Sequence, residues 1–209
     1  MPRQTPASAD RVLDAALACV GRVGVAKTTL DDVAREAGCA RATVYRYFPG
    51  KQPLLAALVE REAVLLGDHL VATATHAAQL SDAVVAVITE GTRRLAGHDA
   101  LTFVATYEPD LLLRYLAFER EDAVLRAAAQ LVAPAFVRFL TAERAERLGE
   151  WIARITLSHL CNPSETIDVA DPAQVRDLVE DFVLPGLGSE PPSEIDVTLE
   201  SDFIEGVIR

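Results

Sequence analysis

The sequence predicts an all-α protein in which an N-terminal three-helix unit precedes a larger helical domain. Half of the 209 residues are apolar and only 6% are aromatic, and this composition, rich in Ala and Leu, favours helices. Apolar side chains recur at intervals of three and four residues, which is the helical period. Glycine, proline, serine and threonine stand where these periodic segments begin and end.

The first helix is predicted from residue 9 to residue 23. Its apolar face has helical spacing and consists of Leu13, Ala16, Leu17 and Val20. Ser8 or Asp10 can accept hydrogen bonds from the free amides at its start. Gly21 and Gly24 mark its end.

The second helix is predicted from residue 29 to residue 37. Its apolar residues form a one-sided stripe: Leu30, Val33, Ala34 and Ala37. Gly38 ends the helix, because glycine tolerates the left-handed conformation that a helix exit often needs. Two pairs are compatible with a capping-box-like start: Thr28 with Asp31, or Thr29 with Asp32.

The third helix, residues 41–48, follows a three-residue turn and is stopped by Pro49 and Gly50. Two short helices joined by a turn that contains glycine have the geometry of a helix-turn-helix motif. In that motif the first helix braces the second, and the second enters the major groove of DNA. Val44 and Phe48 lie four residues apart and are predicted to anchor this helix to its brace.

The remaining pattern is also helical. A long fourth helix at 51–75 has a predicted buried side made of Leu54, Leu55, Leu58, Leu65 and Leu66. Ser81 is the predicted cap of the next helix, and a final helix is expected from Asp171–Pro172 to Pro185–Gly186. The helices between these limits are predicted at 82–97, 100–107, 110–133 and 143–161.

The charge of the chain is unevenly distributed. The net charge is −11, yet residues 1–61 carry nine Lys or Arg against six Asp or Glu, and the other 148 residues carry 11 against 25. An acidic body should repel DNA, so only the N-terminal end is expected to dock on it. Residues 188–209 hold six acids and one basic residue, which favours a flexible acidic tail over a short strand.

Other classes of function find little support in the sequence. No hydrolase, phosphate-loop or dinucleotide motif is found, so neither an enzyme nor a cofactor is predicted. His69 and His76 could share a helix face, but no third ligand accompanies them, so no metal site is predicted. The cysteines Cys19, Cys39 and Cys161 are expected to be small buried or half-buried residues. No membrane partner is expected, because no apolar run reaches 18 residues, and residues 1–10 lack an apolar leader core, which favours the cytoplasm.

The N-terminal segment resembles the TetR family of transcriptional regulators. The resemblance rests on Thr28–Thr29, the brace VAREAG at 33–38, the helix TVYRYF at 43–48 and the following Lys51. It implies a DNA-binding domain at 8–60, a helical ligand-binding and dimerisation domain at 61–187, and the tail at 188–209. One departure concerns Ala40, where the family usually has Ser or Thr, because alanine cannot cap the third helix.

The resemblance also implies roles for particular residues. Contacts to bases or phosphates are expected from Thr28, Thr29, Arg41, Ala42, Thr43, Tyr45, Arg46, Tyr47 and Lys51. The alternative role for the two tyrosines is packing, and the alternative for Lys51 is a solvated surface charge. Arg46 and Thr43 are expected nearest the bases or the adjacent phosphates, while Lys51 and the tyrosine hydroxyls are expected on phosphates.

The body is expected to form a homodimer and to bind an unknown small-molecule effector. A dimer would place two recognition helices on a pseudo-palindromic operator in double-stranded DNA. Its interface candidates are Trp151, Ile155, Leu178 and Phe182, with core of a single chain as the alternative. The pocket candidates are Arg94, His98, Phe103, Tyr107, Leu111, Arg114, Tyr115, Phe118 and Arg154. Ordinary core is the alternative for the apolar and aromatic ones, and a surface charge or a satisfied polar group is the alternative for the arginines and His98. We expect a repressor that an apolar ligand releases; an interaction protein that senses no ligand is the rival hypothesis.

Overall fold

A computed structural model of the chain describes residues 8–113 and 123–188, and within these ranges it contains helices, turns and loops but no strand. The prediction of an all-α protein is therefore confirmed. The N-terminal part consists of α1 (Ala9–Lys27), α2 (Leu30–Glu36), α3 (Arg41–Tyr47) and the long α4 (Lys51–Ala74).

The body continues with shorter helices around α4. These are α5 (Leu80–Ala96), α6 (Asp99–Tyr107), α7 (Pro109–Leu113), α8 (Ala123–Val132), α9 (Ala142–Cys161) and α10 (Pro172–Leu178). A 3₁₀ turn at Ala133–Ala135 follows α8, and a π turn at Val179–Val183 joins α10 to α11 (Leu184–Gly188). Part of the helix predicted at 110–133 and the tail from residue 189 lie outside the described residues. No helix in the described ranges is long and apolar enough to cross a membrane.

Helix α1 begins and breaks at residues that the sequence points to. The hydroxyl of Ser8 accepts a hydrogen bond from the Arg11 amide at 3.3 Å, so Ser8 is the cap. At Gly24 the backbone leaves the helical region with φ of 83°, a conformation that glycine adopts without steric cost. The predicted end at residue 23 is therefore corrected, because one more turn follows the break and α1 ends at Lys27.

The described residues bury two apolar cores, and α4 runs along both. The N-terminal core joins α1, α2 and α3 to Leu54 and Leu58 of α4, and also includes Ala100 and Val104 of α6. The body core gathers α5, α8, α9 and α10 around the C-terminal half of α4 and the fully buried Phe136. Helix α6 belongs to the body in sequence, yet it packs against α1.

Two expectations about the middle helices are wrong. Leu65 was expected on the buried side of α4, but its side chain is 56% exposed. The buried residues of α4 beyond its midpoint are Gly67, Leu70 and Ala74, which face the body core. Ser81 does not cap α5, because that helix starts earlier, at Leu80 after Gln79, and Ser81 is buried within its first turn.

The dipeptide Pro185–Gly186 does not end the last helix as predicted. A proline lacks the amide that an α-helix needs for its i to i−4 hydrogen bond. Here the π turn precedes Pro185, with the Leu184 amide donating to the Val179 carbonyl five residues earlier. This wider turn shifts the hydrogen-bonding pattern before the proline, and the helix continues to Gly188.

The three cysteines differ in their surroundings. Cys19 is buried in the N-terminal core, and burial raises the pKa of its thiol. Cys39 is half-buried, whereas Cys161 is exposed at the end of α9. The expectation of buried or half-buried cysteines is thus correct for the first two and wrong for Cys161.

Candidate nucleic-acid interface

The brace helix α2 starts on a capped threonine. The Thr29 hydroxyl accepts a hydrogen bond from the Asp32 amide at 3.2 Å and donates to the Asp32 carboxylate at 2.5 Å. These contacts, together with Arg35, hold the pKa of Asp32 below its usual value. Of the two capping pairs compatible with the sequence, the structure therefore selects Thr29 with Asp32.

Thr28 has a structural role instead of the expected phosphate contact. Its side chain is buried, with 2% of its surface exposed, and its hydroxyl donates to the Gly24 carbonyl at 2.6 Å. A buried hydroxyl that is already engaged cannot reach a phosphate in this conformation. Of the threonine pair, only Thr29 lies on the surface.

Helix α3 is anchored by the two residues predicted for that role. Val44 is fully buried and Phe48 is 9% exposed, and both belong to the N-terminal core. The turn before the helix is held from α1, because the Arg11 guanidinium donates twice to the Ala37 carbonyl, at 3.0 and 2.6 Å. Gly38 supplies the left-handed residue of the turn with φ of 60°.

Around the rest of its circumference, α3 carries six of the predicted DNA contacts. Arg41, Ala42, Tyr45, Arg46 and Tyr47 are exposed and Thr43 is half-buried. The structure therefore brings six of the expected residues onto one short helix whose other face is fixed.

Aromatic and acidic neighbours orient the two arginines of this surface. Arg41 makes two contacts of 3.0 Å with the Asp31 carboxylate and donates to the Tyr45 hydroxyl at 3.1 Å. The Arg46 guanidinium lies 5.0 Å from the centre of the Tyr47 ring. Arg46 also donates to the Tyr47 hydroxyl at 3.4 Å, and such contacts restrict the conformations of a flexible side chain.

The start of α3 lacks a side-chain cap, as the sequence predicts. Ala40 occupies the N-cap position with φ of −71° and ψ of 145° and makes no side-chain hydrogen bond. These angles already suit a capping residue. The helix is therefore formed through packing of Val44 and Phe48 rather than through its cap.

We expect Ala40→Ser to raise the free energy of unfolding by about 0.5–1 kcal/mol, since the new hydroxyl would accept an amide hydrogen bond at the start of α3. Urea unfolding followed by circular dichroism measures this gain. Ala40→Val is the matched control, because valine is as poor an N-cap as alanine. If both substitutions change the free energy of unfolding equally, the missing cap does not limit the stability of the protein.

Lys51 opens α4 beside the C-terminal turn of α1. Its ammonium group donates to the Ala26 carbonyl at 3.0 Å. An ammonium group has three donors, so this bond leaves others for a phosphate. The contact places Lys51 next to the loop that leads into α2.

Sequence reasoning missed three residues that hold this surface in place: Arg11, Asp31 and Glu108. Arg11 and Asp31 bond to the turn and to α3, while Glu108 reaches α1 from the end of α6. No local sequence pattern predicts these contacts, because each of the three residues bonds to a partner that is 10 to 83 residues away.

The predicted pocket residues do not converge on one place within the described residues. Phe103 lies against Gly24 of α1, Leu111 packs on the N-terminal core, and the Tyr107 side chain is 71% exposed. His98 caps α6 by accepting from the Leu101 amide at 3.1 Å. The other candidates Arg114, Tyr115 and Phe118 lie outside the described residues.

The two predicted arginine anchors of the pocket form ion pairs. Arg154 pairs with Glu150 one turn earlier on α9, at 2.6 Å. Arg94 joins α5 to α4, since it contacts both Glu90 and His69. The Glu90 carboxylate accepts a hydrogen bond from His69 at 2.8 Å, and this bond, with the nearby arginines, holds the pKa of Glu90 below its usual value. The pocket assignments therefore remain predictions.

The predicted dimer residues lie at or near the surface of the chain. Trp151 is 36% and Phe182 is 75% exposed, while Ile155 and Leu178 are half-buried. Large aromatic side chains such as Trp151 and Phe182 are enriched in protein interfaces, so both remain candidates for a dimer contact.

Comparisons with known proteins agree with this geometry. The model of the family described as bacterial regulatory proteins, tetR family, matches residues 12–58, which include α2 and α3. An uncharacterized HTH-type transcriptional regulator of Mycobacterium tuberculosis is 29% identical over 188 residues, covering 88% of this chain and 87% of the relative.

Two solved structures have the same fold. The TetR family repressor AlkX from Dietzia sp., implicated in biodegradation of n-alkanes, superposes with a TM-score of 0.65 at 24% identity, over 90% of this chain and 97% of its own. The transcriptional regulator FadR from Bacillus subtilis, solved in complex with stearoyl-CoA, gives a TM-score of 0.57 at 17% identity, over 82% and 97% of the two chains. At these identities the likeness concerns the fold.

Proposed function

We propose that the chain is a dimeric repressor of the TetR family, whose model matches residues 12–58, and that a small apolar molecule releases it from its operator. The observation that carries the proposal is α3, which is fixed on one face by Val44 and Phe48 and carries two arginines and two tyrosines on the other. A curated relative that spans most of the chain is described as an HTH-type transcriptional regulator, which supports this proposal.

We assign sequence recognition to α3 and positioning to its surroundings. Arg46 and Thr43 would contact base edges, where arginine can bond guanine through two donors and the threonine methyl can meet thymine. Lys51, Thr29 and the tyrosine hydroxyls would contact phosphates, which fixes the register but carries no sequence information. Arg41, already bound to Asp31 and Tyr45, would lie at the margin of this contact.

Dimerisation is proposed through α9 and the segment from α10 to α11. One short recognition helix covers too few bases for specificity, whereas a two-fold dimer places two of them on a pseudo-palindrome. The exposed Trp151 and Phe182 supply the large aromatic side chains that interfaces use.

An apolar effector is proposed from the composition of the body and from its fold neighbours. Ligand sites in helical bundles are mostly apolar with a few polar groups that orient the ligand. AlkX is implicated in n-alkane biodegradation, and FadR was solved with stearoyl-CoA, so long hydrocarbon chains are the first class to test. Release requires that such a molecule bind the DNA-free form more tightly than the DNA-bound form.

The test is DNA binding by the full chain. Duplexes selected by the protein from a randomised pool would be measured by fluorescence anisotropy at several salt concentrations. We expect Arg46→Ala to relax sequence preference at one position of each half-site by about 1–3 kcal/mol. Lys51→Ala should instead weaken all sequences alike and reduce the salt slope by about 1 per half-site.

Glu60→Gln is the control for a change of charge on an exposed part of α4 that makes no predicted DNA contact. Failure to enrich any palindrome would contradict the proposal and favour an interaction protein. When a duplex has been selected, stearoyl-CoA and an n-alkane are titrated into its complex with the protein. If such a molecule binds free and DNA-bound protein with equal affinity, its role as a releasing ligand is refuted.

A further inference from the structure

A carboxylate from the body closes the break in α1. Both oxygens of Glu108 accept backbone hydrogen bonds, one from the Val25 amide and one from the Ala26 amide, each at 2.8 Å. Amides that follow a break in a helix have no carbonyl partner within the helix. Glu108 therefore satisfies the two donors that the break at Gly24 exposes, from 82 and 83 residues away.

The surroundings of Gly24 make this contact specific. A Cβ atom on Gly24 would lie 2.6 Å from Cε1 of Phe103 and 2.7 Å from Oε1 of Glu108. Phe103 in turn stacks on Tyr107, with 4.7 Å between the ring centres. The end of α6 thus approaches the α1 backbone as closely as a glycine allows.

Ala26 is held from two sides. Its amide donates to Glu108, and its carbonyl accepts from the ammonium group of Lys51 at 3.0 Å. One residue of α1 therefore connects a carboxylate of the body to the cation that opens α4. Two residues further on, Thr28 fixes the same turn by donating to the Gly24 carbonyl.

We propose that Glu108 is a positioning residue for DNA binding, which acts through the Val25–Ala26 turn to place the Lys51 ammonium group for its phosphate. The inference rests on the proposed phosphate contact of Lys51. Glu108 itself is an acid beside a surface that binds a polyanion, so its charge alone would oppose binding. A loss of affinity upon removing that charge would thus have to arise through geometry.

The location of Glu108 gives this contact a further consequence. It is the C-cap residue that follows the end of α6 and directly precedes Pro109, the first residue of α7. A shift at this junction would withdraw the carboxylate from the two amides. The Lys51 ammonium group would then no longer be held in position, although α3 itself would be unchanged.

The experiment is a double-mutant cycle in the full chain, with a duplex that the wild-type protein selects from a randomised pool. Glu108→Gln keeps the shape but offers one acceptor where two are needed, and we expect it to weaken binding roughly five- to twentyfold. In a Lys51→Met background the same substitution should weaken binding less than twofold, because the residue through which Glu108 acts is gone. A merely structural role would give equal losses in the two backgrounds.

Two variants separate geometry from charge. Asp110→Asn removes the same charge two residues away from the contact and is expected to leave affinity unchanged or slightly higher. Glu108→Asp keeps the charge but shortens the side chain by one methylene, and it should also weaken binding. If Glu108→Gln behaves like Asp110→Asn, the inference is overturned while the proposed function stands.

Hydrogen exchange gives a readout that does not depend on DNA. Exchange of the Val25 and Ala26 amides should be faster in Glu108→Gln, while amides of α3 remain as protected as in the wild type. Unchanged exchange at these two amides would overturn the inference even if affinity fell. If the wild-type protein selects no DNA at all, the proposed function fails, and the inference fails with it.

Discussion

The double variant Trp151→Glu/Phe182→Glu is expected to be a monomer that binds its operator about 100- to 10,000-fold more weakly than the wild type. Phe182 is 75% exposed in a single chain, so glutamate costs little there, whereas Trp151 is 36% exposed and its replacement also removes contacts within the monomer. In the proposed dimer each glutamate would be buried without a partner, which is strongly unfavourable. Loss of the second recognition helix then removes the avidity of a two-site contact.

Light scattering coupled to size-exclusion chromatography would determine the mass, and anisotropy would determine the affinity for a palindromic duplex. Leu65→Glu is the matched control, because Leu65 is 56% exposed but lies on α4, outside the predicted interface. It should remain dimeric. A double variant that remains dimeric would place the interface elsewhere and leave the exposure of Phe182 without an explanation.

The sequence allowed prediction where the determining contacts are local. Ser8 and Thr29 cap helices through amides three residues away, and Val44 and Phe48 follow the helical period into the core. The uncapped start at Ala40 is visible for the same reason. Each of these features depends on a few neighbouring residues, so a single sequence contains the necessary information.

Prediction failed where a helix faces more than one neighbour. On α4 the apolar residues cover more of the circumference than one core can bury, so the period alone could not show that Leu65 faces outward while Gly67 faces Leu131. Thr28 was expected on a phosphate because it lies at the start of a helix, although its hydroxyl finds a partner inside. The same reasoning could not place Phe103, whose position depends on the approach of α6 to α1.

Long-range polar contacts were beyond the sequence for a different reason. A carboxylate that accepts two amides, as Glu108 does, is identical in sequence to one that faces water. Its role depends on the break at Gly24 and on the packing that brings α6 there. The parts of the interface that α3 supplies could thus be predicted, whereas its supports from the body could not.

Phe136→Ala should lower the free energy of unfolding by about 3–5 kcal/mol, the cost typical of emptying a buried aromatic site. Phe136 is fully buried and belongs to the body core, among residues of α4, α5, α9 and α10. Its loss leaves a cavity between several helices, and each of them can close it only partly. Guanidinium unfolding followed by circular dichroism, at fixed protein concentration, measures the change.

Phe182→Ala is the matched control, since it removes the same side chain from a position that is 75% exposed. If Phe182 lies in the dimer interface, its truncation lowers stability by an amount that depends on protein concentration, because association contributes to the stability of a dimer. The stability lost in Phe136→Ala, measured against the wild type at the same protein concentration, should be the same at every concentration, since the cavity forms within one chain. If the loss in free energy of unfolding is equal in both variants and independent of protein concentration, Phe182 has no interface role. A loss below about 1 kcal/mol for Phe136→Ala would mean that the body core repacks around the missing ring.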